Sequence, residues 1–338
     1  MSRSYGIAAV LVCLLVAALT ARAEIYELPP EGYDVIGAVA TVTARHEDTL
    51  VDIARRHGLG YQDIVRANPG VNVWLPGEGT EVVLPTQYVL PPGPREGVVL
   101  NLAEYRLYYY PEAKAGETAY VMTYPISIGR MDWETPLGNT TVISKVRDPS
   151  WYVPKSVREE HAAEGRPLPP VVPPGPDNPL GRFAMRLGLP GYLIHGTNRP
   201  AGVGMRVTHG CVRMFPEDIE FLFGNIDLKT PVRIINEPVK IGWVGDELVM
   251  EVHPVLESAL PQAEEDSATG EVKEIVFEDL PPAKDPLTYV TERFIATTAE
   301  RAGQLDWNLA EQLIERSDGI PVPVGQEIKH AATSAASE

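Results

Sequence analysis

Residues 192–215, YLIHGTNRPAGVGMRVTHGCVRMF, begin as a buried strand and end at a thiol flanked by histidine and arginine. The apolar run Tyr192-Leu193-Ile194 predicts a strand, with His195 at its end and Gly196 opening a loop. A base on a rigid strand end is held accurately, which proton transfer requires. Sixteen residues separate His195 from Cys211, enough for a strand-loop-strand return that brings the two together. If 209–213 is extended, His209, Cys211 and Arg213 point to one side. A thiol becomes a nucleophile when a base or a positive charge stabilises its thiolate, and His195 and His209 are both candidate partners. Gly210 lets a substrate carbonyl come close to backbone N–H groups, which could form an oxyanion hole.

Two other readings of the same residues stand beside this one. His195, His209, Cys211 and His253 would make a zinc set, but H-x-C lacks a close second ligand pair, so no metal and no cofactor is expected. A structural cysteine with incidental histidines is the plain alternative.

Working outward, residues 98–110, 119–128, 140–146 and 232–235 alternate in the period of two that predicts a mainly β domain. Residues 161–181 are dense in proline and glycine, so regular structure is not expected there; the segment reads as a lid or an inert loop. Beyond 236, residues 241–253 predict a hairpin turning at Gly245-Asp246. An acidic linker at 261–271, two helices within 288–316 and a disordered tail at 325–338 follow. On the other side, residues 37–86 predict a small strand-helix-helix-strand module, joined through a stiff Pro91, Pro92, Pro94 linker. Such a module reads as a separate binder, whose loss should affect attachment to a polymer more than turnover of a small substrate.

The N-terminus carries Arg3, an apolar run at 7–19 and Ala21-Arg22-Ala23, the pattern of a cleaved secretory signal peptide over 1–23. Cys13 would leave with it. Cys211 would then be the one thiol of a chain exported to a disulfide-forming compartment, hence buried, paired between chains, or reactive. No later segment is long and apolar enough to span a membrane. The formal charge of -17 offers no basic face and excludes a nucleic-acid partner.

The stretch IHGTNRPAGVGMRVTHGCVRM resembles the L,D-transpeptidase catalytic domain, also called the YkuD domain, whose hallmark is His-Gly followed by [Ser/Thr]-His-Gly-Cys and an arginine or asparagine two residues on. PGPDNPLG at 174–181 and PEDIEFLF at 216–223 are similar to Gram-negative members. The resemblance implies a β-rich catalytic fold over 97–236, followed by a hairpin extension at 237–256 and a linker and helical region at 257–324. It implies Cys211 as nucleophile and His195 as base. The Gly210 and Cys211 amides, with His209, would hold the oxyanion. Thr208, Gly196, Thr197 and Arg213 would line the substrate, with Arg213 binding a carboxylate or bracing the pocket. The segment DTLVDIARRHGLGYQDIVRANPGVNVWLPGEGTEVVLP resembles the LysM family, which binds N-acetylglucosamine-containing glycans. Trp74 and Asn68 are its candidate glycan contacts. The implied partners are peptidoglycan stem peptides and glycan, in the periplasm. The implied acceptor is a second stem's diaminopimelate, the C-terminal lysine of an outer-membrane lipoprotein, or water.

Overall fold

The computed structural model describes residues 24–114, 116–131, 133–256 and 284–329. The expected signal peptide at 1–23 and the acidic linker at 261–271 lie outside the described residues.

The N-terminal module is built as expected. Strand Ala40–Thr43 pairs antiparallel with Glu81–Leu84, and helices α1 (Leu50–Arg56) and α2 (Tyr61–Ala67) lie between them in sequence. Thr49 caps α1. Its hydroxyl accepts from the Asp52 N–H while the Asp52 carboxylate accepts from the Thr49 N–H, a reciprocal capping box. Leu50, Ile53, Leu59, Ile64, Val82 and Leu84 form the module's own core.

The catalytic region is a nine-stranded sheet. Its order is Glu24–Glu27, Tyr120–Pro125, Arg106–Tyr110, Gly97–Asn101, Pro231–Ile235, Gly138–Arg147, Phe183–Leu187, Leu193–His195 and Val212–Arg213. Glu24–Glu27, just ahead of the small module, is thus an edge strand of the catalytic sheet. The central hairpin, Gly97–Asn101 with Arg106–Tyr110, is buried on both faces. Alternation sends Val98, Leu100, Leu107 and Tyr109 into the main core, and Val99, Tyr108 and Tyr110 into a second one with Ile36, Tyr88 and Val121. That second face explains a strand as aromatic as RLYYY: it packs on neighbouring segments instead of meeting water.

The proline-rich insertion departs from expectation. Helix α3 (Lys155–Ala163) leads into it, and Val171–Val172 pairs with Trp151–Tyr152. Asn178, fully buried, donates to the carbonyls of Pro149, Val172 and Pro173 and accepts from the Leu180 N–H. One side-chain amide thus supplies what prolines cannot, since they bring carbonyls without N–H partners. After the last active-site strand, α4 (Pro216–Asn225) packs Ile219 and Leu222 into the main core.

The C-terminal region is one unit rather than a hairpin followed by separate helices. The hairpin Val239–Val244 with Glu247–Val252 is joined by Val322–Glu327 and Gly303–Leu305 into a four-stranded sheet. Helices α5 (Pro286–Thr297) and α6 (Trp307–Arg316) cover it through Val290, Ala310 and Leu313. The expected disorder from residue 325 is corrected on this point: residues 325–327 belong to a paired strand, with Leu248 opposite Gly325 and Val324 buried beside them. The polar composition hid a strand whose ladder partners are far away in sequence.

A buried charge cluster clamps this unit to the catalytic sheet. The Lys240 ammonium lies 2.6 Å from Glu104 and 2.9 Å from Glu251, and all three are essentially inaccessible. Tyr108 donates to Glu104, and His253 sits 2.7 Å from Glu251. Removing one partner of a buried ion pair leaves an uncompensated charge, so Lys240→Met is expected to cost about 3 kcal/mol or more of unfolding free energy, measured by urea denaturation. An unchanged midpoint would show that the cluster contributes nothing to stability.

Candidate active site

Strand Leu193–His195 runs parallel to Val212–Arg213, with His195 opposite Arg213, and the Met214 N–H donates to the His195 carbonyl. Cys211 precedes the second strand directly, so the chain makes a strand-loop-strand return between His195 and Cys211. The cysteine is half-buried and unpaired. Its Sγ lies 3.6 Å from the Gly191 carbonyl oxygen, to which the S–H donates. Burial pushes the thiol pKa up, and the Leu193 N–H and Arg213 only partly oppose this.

His195 is 4% exposed. Its Nδ1 lies 2.6 Å from the Gly196 carbonyl oxygen. A carbonyl can only accept, so Nδ1 carries the proton and Nε2 keeps its lone pair. Burial first, and Arg213 second, push the His195 pKa down to about 3. The resting pair is therefore neutral thiol and neutral imidazole. Desolvation disfavours the thiolate charge.

His209 is engaged elsewhere. Its Nε2 lies 2.7 Å from Glu160 on α3, and its ring meets Trp133 edge-on at 5.3 Å. A ring nitrogen that donates to a carboxylate offers no lone pair there. Glu160 also binds Arg130 at 2.7 Å, and Arg130 followed by His209 holds its carboxyl below the usual range. The helix leading into the proline-rich insertion is thus fastened beside the cysteine.

Gly210 has φ +92, and a Cβ there would meet the Tyr192 ring at 2.8 Å. The glycine is required both by backbone and by space. Its carbonyl accepts from the Thr135 hydroxyl at 2.8 Å, and that hydroxyl accepts from the Gly129 N–H at 3.0 Å. In a trans peptide, fixing that carbonyl aims the Cys211 N–H the opposite way, as an oxyanion donor would need. Thr208 donates its hydroxyl to the Cys211 carbonyl at 2.6 Å, bracing the same turn. Thr135 and Glu160 were invisible in the sequence, since a lone threonine in a loop and one glutamate of a charged helix carry no local signal.

Arg213 is half-buried, and burial and Arg199 hold its guanidinium below the usual arginine range. Its Nε is buried without a hydrogen-bond partner. Thr197 is buried, and its hydroxyl accepts from the Arg199 N–H. Gly196 donates to the Phe183 carbonyl and packs against Ile219. These two shape the loop from inside. His253 stands in the Glu104–Glu251 cluster, among the described residues the one group of three such side chains close enough to share an ion, and Lys240 pairs with both of its carboxylates.

In the N-terminal module, Trp74 is 60% exposed beside exposed Leu75, with both amides donating to Asn72. Asn68 is different. It is buried, and its amide is spent on the Ile64 and Val83 carbonyls and the Val83 N–H, leaving no edge for a sugar.

The chain matches the L,D-transpeptidase catalytic domain, YkuD, over residues 95–234, and the LysM domain over residues 42–74. It is 38% identical over 303 residues to the "Probable L,D-transpeptidase ErfK/SrfK" of Salmonella typhimurium, covering 88% of this chain and 90% of that protein. It is 42% identical to the "Probable L,D-transpeptidase YcfS" of Escherichia coli (71% of this chain, 75% of that protein) and 41% identical to its YbiS counterpart (72% and 80%). With the mainly β catalytic sheet, the LysM module and the shared length of these relatives, the chain belongs to the YkuD-type L,D-transpeptidases and is an enzyme of peptidoglycan closely related to the Gram-negative ErfK, YcfS and YbiS proteins.

Proposed function

We propose that the enzyme cleaves the bond between meso-diaminopimelate and the terminal D-alanine of tetrapeptide stems through a Cys211 thioester. As Sγ attacks the carbonyl carbon, its proton passes to Nε2 of His195. The oxyanion is taken by the backbone amides at Gly210 and Cys211. The C–N bond then breaks, and His195 returns the proton to the departing D-alanine amine. An acceptor amine attacks the thioester, gives a proton to His195, and releases the thiol. The observation that carries this reading is the buried His195 ring, its Nδ1 proton committed to Gly196, on the strand paired with the one that follows the cysteine.

Arg213 would bind a stem carboxylate, since a half-buried guanidinium with an unpartnered Nε gains most from an anionic ligand. Trp74 would stack on the glycan, being an exposed aromatic on the LysM surface. The place of action is the periplasm, reached through a cleaved signal peptide; among the described residues no helix is long and apolar enough to cross a membrane.

The acceptor is a lipoprotein lysine or the diaminopimelate of a second stem, with water giving a carboxypeptidase. Purified protein incubated with disaccharide tetrapeptide should release D-alanine. Sacculi supplied with a lysine-terminated peptide or with free stems, digested and weighed, should then carry the matching linked product. D-alanine release without any linked product would leave hydrolysis, and no release would end the reading.

A further inference from the structure

We propose that Gly60 of the LysM module and Gly204 of the catalytic loop are positioning residues for the thiol, so that the module forms one wall of the loop bearing His195 and Cys211 at its ends. The inference rests on the reading of Cys211 as nucleophile.

The loop in question is residues 196–208. Left to itself, a loop of this length with glycine at 196, 202 and 204 is loosely specified, because glycine adds backbone freedom. Its middle is held by the other module. The N–H groups of Tyr61 and Gln62, at the start of α2, donate to the carbonyls of Val203 (2.9 Å) and Gly204 (3.3 Å). The two backbones meet without side chains between them. A Cβ on Gly60 would stand 2.7 Å from the Gly204 Cα, and one on Gly204 would stand 2.3 Å from the Tyr61 nitrogen.

The start of α2 is itself fixed to the catalytic sheet. Asp63 accepts from the Gly60 N–H at 2.9 Å and pairs at 2.7 Å with Arg106, a 1% exposed residue of the central hairpin. Arg55 of α1 adds a two-pronged pair to Glu217 at 2.7 and 2.8 Å, in the first turn of α4, just past the active-site strand.

The contact leads to the cysteine through one residue. The Ser127 hydroxyl donates to the Gly202 carbonyl at 2.8 Å, while its backbone exchanges both hydrogen bonds with Arg213, at 2.8 and 3.0 Å. Displacing 203–204 therefore pulls on the strand that follows Cys211. This differs from the expectation of a module hung on a proline linker, and it follows that damage to the module's contact face reaches turnover itself. Misplacing a reacting group by about 1 Å costs on the order of 100-fold in rate.

The test compares full-length wild type, Gly60→Ala, Gly60→Val and Ile64→Val on a soluble disaccharide tetrapeptide. Gly60 has φ -89, so a side chain there strains the contact and not its own backbone. Ile64→Val loosens the module's core while leaving the contact in place. We expect kcat to fall about tenfold in Gly60→Ala and further in Gly60→Val, with KM within about twofold. The rate of Cys211 alkylation by iodoacetamide should change in step, and Ile64→Val should keep wild-type kcat. Folded Gly60→Val with wild-type kcat and alkylation rate overturns the proposal, as does an equal kcat loss in Ile64→Val. If Gly60→Val does not fold, Ser127→Ala decides: the same kcat loss at constant KM supports the route, and unchanged kcat overturns it. A wild type that releases no D-alanine indicts the nucleophile instead, and is read separately.

Discussion

Cys211→Ala is expected to lower D-alanine release by about 10⁴-fold or more, the scale on which acyl-transfer enzymes lose rate when their nucleophile is deleted. The two hydroxyls described around it cannot take its place: Thr208 spends its proton on the Cys211 carbonyl, and Ser127 spends its own on the Gly202 carbonyl. Stability should change by about 1 kcal/mol or less, because the sulfur is only half-buried and makes a single weak hydrogen bond. Intact mass after mixing with tetrapeptide should show a thioester adduct on wild type and none on the variant. Turnover at the wild-type rate by a folded Cys211→Ala protein would remove the mechanism.

His195→Ala is expected to cost on the order of 10² to 10⁴ in kcat/KM, the usual worth of a positioned acid–base group. The pH dependence separates it from a merely structural residue. Since the pKa of His195 is pushed down to about 3, the imidazole is neutral across ordinary working pH. The wild-type rate should therefore show no acidic limb near 6.5. The alkylation rate of Cys211 should keep rising above pH 9, because burial raises the thiol. Stability carries the same signature. The unfolded imidazole binds a proton near pH 6.5 and the folded one does not until about pH 3, so the unfolded state holds more protons in that window. Wild type should lose stability as pH falls from 6.5 toward 3, by roughly 1.4 kcal/mol per pH unit at most, and His195→Ala should lack that loss. An acidic limb near 6.5 that vanishes in the variant would show an exposed, ordinary histidine.

The sequence by itself determined the family and the parts. His195 at a strand end, Gly210 before Cys211 and Arg213 beyond it could be named because such residues act through their nearest neighbours in the chain. The two helices of the LysM module are local, so their pattern announced them; the turn at Gly210, where an extended run was considered, and the Thr208 bond to the Cys211 carbonyl were not foreseen. The β hairpins were legible for the same reason, since period-two alternation is a local record of burial.

Only the tertiary structure decided which groups face the reactive pair and how the parts join. Glu160, Thr135 and Ser127 reach the site from segments 49, 75 and 86 residues away from His209, Gly210 and Arg213 respectively. Burial, not identity, made the resting pair neutral and turned Asn68 from a sugar contact into a core brace. Residues 325–327 became a strand because Leu248 and its neighbours supply the ladder, and a linked bead became a wall because Gly60 meets Gly204. Each of these depends on long-range contact and solvent exclusion, which arise only when distant segments pack, and no local pattern encodes them.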